Sequence, residues 1–139
     1  MIRPGLAVAL WAATATVLFL NHTIGDTLIA DRIGVRLALW YKTLLPIPYV
    51  ALMAAIHARR TAGPSWRGAA LLAGAMWSIS TALFDALLGR LTYGESLDAT
   101  LDRYGVAYGS PWPLLLLAQA VLPYAFGMLA NRPNAEGPR

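Results

Sequence analysis

Four apolar runs of about twenty residues fill most of this 139-residue chain: Gly5 to about Thr23, Leu37 to Ile56, Gly68 to Gly89, and Pro111 to Ala130. A bilayer core offers the backbone no water to bond, so runs of that length are expected to cross it as helices whose N–H and C=O groups are satisfied internally. Composition agrees, with 58% hydrophobic and 13% charged residues, against about 25% charged in soluble domains. The expected fold is an all-α integral membrane protein with four transmembrane helices in an antiparallel bundle. Residues 1–130 would form one domain, and the polar stretch 131–139, with its two prolines, a disordered tail.

The first run reads as a retained span. Its leading segment holds only Arg3, and its apolar stretch continues through Asn21 and His22 without a small-residue cleavage motif. Cysteine is absent, which removes disulfides, thiolate metal sites and cysteine nucleophiles. The net charge of +4 comes without a basic stripe interleaved by aromatics, so no nucleic-acid partner is expected. The cations instead sort by side. Arg3, Arg59, Arg60, Arg67, Arg132 and Arg139 fall on one face, and Arg32, Arg36, Arg90 and Arg103 on the other. Counting cations places both termini in the cytoplasm, in a multi-pass protein of a bacterial or archaeal inner membrane.

Residues 24 to 35 read as a short outer loop joining spans one and two. TAGPSWR reads as the inner turn that makes spans two and three antiparallel neighbours. In SLDATLDRYG, Ser96 can cap a helix, Asp98 suits its first turn, Leu97, Leu101 and Tyr104 repeat at helical spacing, and Gly105 can end it. This predicts a short amphipathic surface helix between spans three and four, with Tyr108 and Trp112 at headgroup depth.

The stretch LWYKTLLPIPYVALM puts a charge and two helix breakers inside the second span. Pro46 cannot donate to the carbonyl of Lys42, nor Pro48 to that of Leu44, so the helix is expected to kink and leave acceptors in need of partners. In the third span, Ala70, Gly74, Ser78 and Ala82 recur at every fourth position and offer a close-packing face, with Asp85 on the same side. Lys42 and Asp85 are equally far in sequence from Gly63 and Pro64, which predicts similar depth and an ion pair across a hairpin. Asn21, His22, Tyr41 and Gln119 would complete an outer polar pocket around Lys42 and Asp85. His22 and Asp26, four residues apart, have no third ligand beside them, so no metal site is expected.

Three functions fit this pattern. In the first, the chain is a non-catalytic accessory or structural subunit of a membrane assembly, its small-residue face docking a partner. In the second, it is a binding or transport protein for an ion or small molecule, working as a homo-oligomer around the outer pocket. In the third, it is a lipid-modifying enzyme using His22 and Asp85. No nucleophile motif, HExxH, glycine-rich phosphate loop or acidic metal cluster supports the last, and no cofactor is expected. A water-sized cavity at Asp85 would separate the second reading from the first.

Overall fold

Pro4 opens the first helix at a position where its missing N–H costs nothing. The computed structural model describes residues 1–105 and 109–132; Tyr108 and residues 133–139 of the expected tail lie outside them. The described residues are helical and contain no strand. Helix α1 (Pro4–Ile24) continues through a π-helical turn (Gly25–Ile29) into α2 (Ala30–Ile33). After Gly34 follow α3 (Val35–Leu44), α4 (Ile47–Arg60), α5 (Trp66–Tyr93), α6 (Leu97–Asp102) and α7 (Trp112–Ala130). Four segments are long and apolar enough to cross a membrane: Pro4–Ile33, Val35–Arg60, Trp66–Tyr93 and Trp112–Ala130.

The expected outer loop at residues 24 to 35 is instead mostly helix. Gly25 does not stop the chain, because its carbonyl accepts from the N–H of Ala30 and carries the helix through the π turn. The reversal falls on Gly34 alone, at φ 86, a conformation open to glycine. The second span breaks where the prolines require. α3 stops at Leu44 and α4 restarts at Ile47, with Pro48 in its first turn.

Spans two and three are not the close neighbours expected from their short connection. α7 packs along both α4 and α5, which barely meet each other, while α1 rests on α4 and α5. The order around the bundle is therefore α1, α4, α7, α5. The cause lies in the small residues of α5. Gly74 is so close to α7 that a Cβ there would overlap the carbonyl oxygen of Ala120, and Ser78 Oγ donates to the carbonyl of Leu116 at 2.9 Å. Lower down, a Cβ on Gly127 would lie 2.7 Å from the Trp66 ring and 3.6 Å from Ala70. Asn131 closes α7 by donating to the Gly127 carbonyl at 2.8 Å, and it accepts from the N–H of Gly63 at 2.9 Å. That contact pins the turn at Gly63 to the end of the fourth span.

Two indoles fasten α1 to α5. Trp77 Nε1 donates to the carbonyl of Ala7 at 2.9 Å, and Trp11 Nε1 to Thr81 Oγ1 at 3.1 Å. Leu83, Leu87, Leu117 and Val121 point outward and stay exposed, a surface suited to an apolar solvent. In α6, Ser96 Oγ accepts from the N–H of Ala99 at 3.2 Å, the expected cap. Thr100 is buried, whereas Leu97 and Leu101 face away from the protein.

Two effects oppose each other in Gly74→Ala. Alanine favours a helix by about 0.8–1.0 kcal/mol over glycine, but overpacking costs roughly 1–3 kcal/mol. The overlapping group is backbone, which cannot swing aside, so the net change is a loss. Thermal unfolding in detergent should show Gly74→Ala lowering the midpoint by several degrees, while Gly5→Ala, with open space around it, leaves it unchanged or raised.

Candidate functional site

The broken second span exposes the carbonyl of Lys42, and Asn21 answers it: Asn21 Nδ2 donates to that oxygen at 3.0 Å. Asn21 is buried, so the bond satisfies an acceptor with no access to bulk water. Joining α1 to α3 one turn below the charged groups, it fixes where the Lys42 side chain begins. The stem of Lys42 then runs across Gly25, where a Cβ would overlap its Cγ and Cδ. Its ammonium reaches Asp26 Oδ1 at 2.6 Å. Without glycine at 25 this path would be blocked.

Lys42 therefore pairs with Asp26 rather than with Asp85. An ion pair between Lys42 and Asp85 across a hairpin would require spans two and three to touch. With α7 packed between α4 and α5, that requirement fails. Asp85 is held from the other side. Arg103, just past α6, donates from one guanidinium nitrogen to Asp85 Oδ2 at 3.2 Å and from another to Glu95. Tyr104 Oη sits 3.5 Å from the same Asp85 oxygen. Gly89 leaves the space for this group, since a Cβ there would press on Glu95 and Arg103.

Burial alone would lower the pKa of Arg103, but its bond to Glu95 and the charges of Asp85 and Glu95 outweigh that and raise it. Burial, assisted by the Asp85 charge, raises the Tyr104 phenol, which stays protonated at neutral pH. Arg103 is thus a permanent cation, linking the segment after α5 back to Asp85.

Between the two ion-paired groups lies a cavity of about 320 Å³. Its polar rim includes His22, Asp26, Lys42, Asp85, Glu95 and Arg103, and its apolar walls include Leu18, Phe84, Leu88 and Trp112. His22 meets Trp112 edge to face, with ring centres 5.3 Å apart. Of the six residues expected to form a pocket, His22, Lys42 and Asp85 line this cavity. Asn21 lies behind it on the Lys42 carbonyl. Tyr41 is half-buried and away from its walls. Gln119 is fully buried in α7, with neither amide atom bonded to protein. His57 is buried against Trp77 at 6.0 Å between ring centres.

Sequence reasoning missed Arg103 and Glu95 as site residues. Asp85 signalled a need for a cation, but spacing along the chain cannot say which cation a surface segment will bring back to it. Among the described residues no group of three His, Asp or Glu side chains is arranged to hold a metal ion.

Fold and cavity together define an all-helical protein with four helices able to cross a membrane and a charged cavity at one end of the bundle. Comparison with protein-family models, with curated proteins and with solved structures finds no match to this chain.

Double-mutant cycles distinguish the pairings. Lys42 with Asp26, whose side chain is 50% exposed, should couple by about 0.2–1 kcal/mol, as surface-type pairs do. Asp85 with Arg103, more enclosed, should couple by more than about 1 kcal/mol. Lys42 with Asp85, which make no direct bond, should couple by less than Asp85 with Arg103. Asn21→Leu should cost about 1–3 kcal/mol by leaving the Lys42 carbonyl bare. Unfolding in detergent reads all four.

Proposed function

We propose that this chain is a membrane protein that binds a small amphipathic ligand in an outward-facing pocket at Asp85. The carrying observation is the cavity of about 320 Å³ between two sets of charged side chains. Its size falls in the range of ligand pockets, and its lining, apolar with a few convergent polar groups, is typical of them. A dry, packed core at Asp85 would have favoured the accessory-subunit reading instead. That reading also relied on the face of Ala70, Gly74 and Ser78 to dock a partner, and α7 of the same chain already occupies it.

The four spans alternate in direction. Contacts between α1 and α5 keep a constant difference in residue number (Ala7 with Trp77, Trp11 with Thr81), as parallel helices do. Contacts between α5 and α7 keep a constant sum (Gly74 with Ala120, Ser78 with Leu116), as antiparallel helices do. The arginine bias puts both termini and the Gly63 turn in the cytoplasm. α6 then lies on the outer surface, its exposed Leu97 and Leu101 at headgroup depth, and Arg103 holds it over the pocket. The chain works within the lipid bilayer, as a homo-oligomer or in a larger complex.

Native cysteine is absent, so single cysteines report sidedness cleanly. In intact cells a membrane-impermeant maleimide should label Ser96→Cys and spare Gly63→Cys. Labelling of both or neither overturns the four-span topology. For the pocket, mass measurement of the protein released intact from mild detergent should reveal a small-molecule adduct. Leu88→Trp, which fills the cavity, should abolish it. An adduct that survives Leu88→Trp, or none in the unmodified protein, overturns the binding reading.

A further inference from the structure

The charges lining the cavity do not balance. Among the described residues Asp26, Asp85 and Glu95 bring three carboxylates, whereas Lys42 and Arg103 bring two cations. Both cations are already engaged: Lys42 by Asp26, and Arg103 by Asp85 and Glu95 together. One negative charge is left over, shared by Asp85 and Glu95 on either side of a single guanidinium. It stands against walls made by Leu18, Phe84 and Leu88. A surplus charge beside apolar walls is poorly solvated, and a cation of opposite sign entering the space offsets it more strongly than it would in water. Phe84 and Trp112 also line the space, and a cation over an aromatic face gains further attraction.

We infer that the ligand of this pocket is a hydrophobic organic cation, its ammonium held by the Asp85 and Glu95 carboxylates and its apolar body lying against Phe84 and Leu88. The inference rests on the binding reading above and gives the ligand a charge and a shape. Inorganic cations fit less well, because the walls are mostly apolar and no group of three His, Asp or Glu side chains is arranged around an ion among the described residues. Anions meet the surplus negative charge, and the two cations lining the cavity among the described residues are already engaged. The bond from Arg103 to Asp85 is the contact that the ammonium competes with, so binding loosens the link from α6 to α5.

Thr92 lines the cavity and is exposed, and a cysteine there would be the sole thiol in the chain. The test follows the rate at which N-ethylmaleimide labels Thr92→Cys in the full chain, in uncharged detergent. Benzyltrimethylammonium is the probe. Neopentylbenzene, which has carbon in place of the ammonium nitrogen, and benzenesulfonate are the controls. Benzyltrimethylammonium should slow labelling several-fold and saturably, and the two controls should not. Asp85→Asn should raise the half-effective concentration about tenfold or more. Glu95→Gln should do the same in part, which keeps the test decisive if Asp85→Asn does not elute as a monodisperse species. Equal protection by neopentylbenzene would leave the binding reading standing and overturn the choice of a cation. Protection by benzenesulfonate alone would reverse the sign of the ligand. No protection by any of the three would remove both the cation and the pocket.

Discussion

The backbone approach of α5 to α7 at Gly74 sets the position of the other helices. A helix can come that close only where the facing residue has no Cβ, and the gain is dispersion contact and packing along the whole seam. Ser78 adds a hydrogen bond to the Leu116 carbonyl on the same face. Once α7 is seated there, it shares its other side with α4, and the second and third spans are held apart. At one end of the bundle α1, α3 and α5 then surround a space that no side chain fills, with the start of α7 on its wall.

Each exposed liability around that space is met by a particular group. Pro46 frees the carbonyl of Lys42, and the Asn21 amide takes it. Lys42 sends its charge past Gly25 to Asp26. Asp85 is short and mostly enclosed, and a cation comes to it on the segment that follows α6. The glycines at 25 and 89 serve the same end on opposite sides of the cavity, each leaving the volume that an ion-paired side chain crosses. Removing Arg103 strands Asp85, whose side chain is only 16% exposed, in a poorly solvated place, which costs more than the pair itself contributes.

The cavity keeps an excess of carboxylate while its cations are taken, and this gives it a sign as well as a size. Arg103 belongs both to the wall of the space and to the connection between α5 and α7. A ligand competing for Asp85 would therefore act on the segment between α5 and α7 through one guanidinium, linking occupancy to the position of α6.

The sequence by itself determined what local chemistry dictates. Run length and apolar character gave four helices, the Ser96 cap gave α6, and Pro46 and Pro48 gave the break in the second span, because each depends on residues within a few positions of one another. It also marked Asp85 and Lys42 as charges needing partners, since the cost of an apolar setting is a property of the residue. The choice of partner was a tertiary decision. Apolar faces pack on any well-fitting apolar neighbour, so periodicity does not say whether span two lies beside span three or across from it. The seam at Gly74 and Ser78 decided that, and with it gave Asp26 to Lys42, Arg103 to Asp85, and the cavity between them.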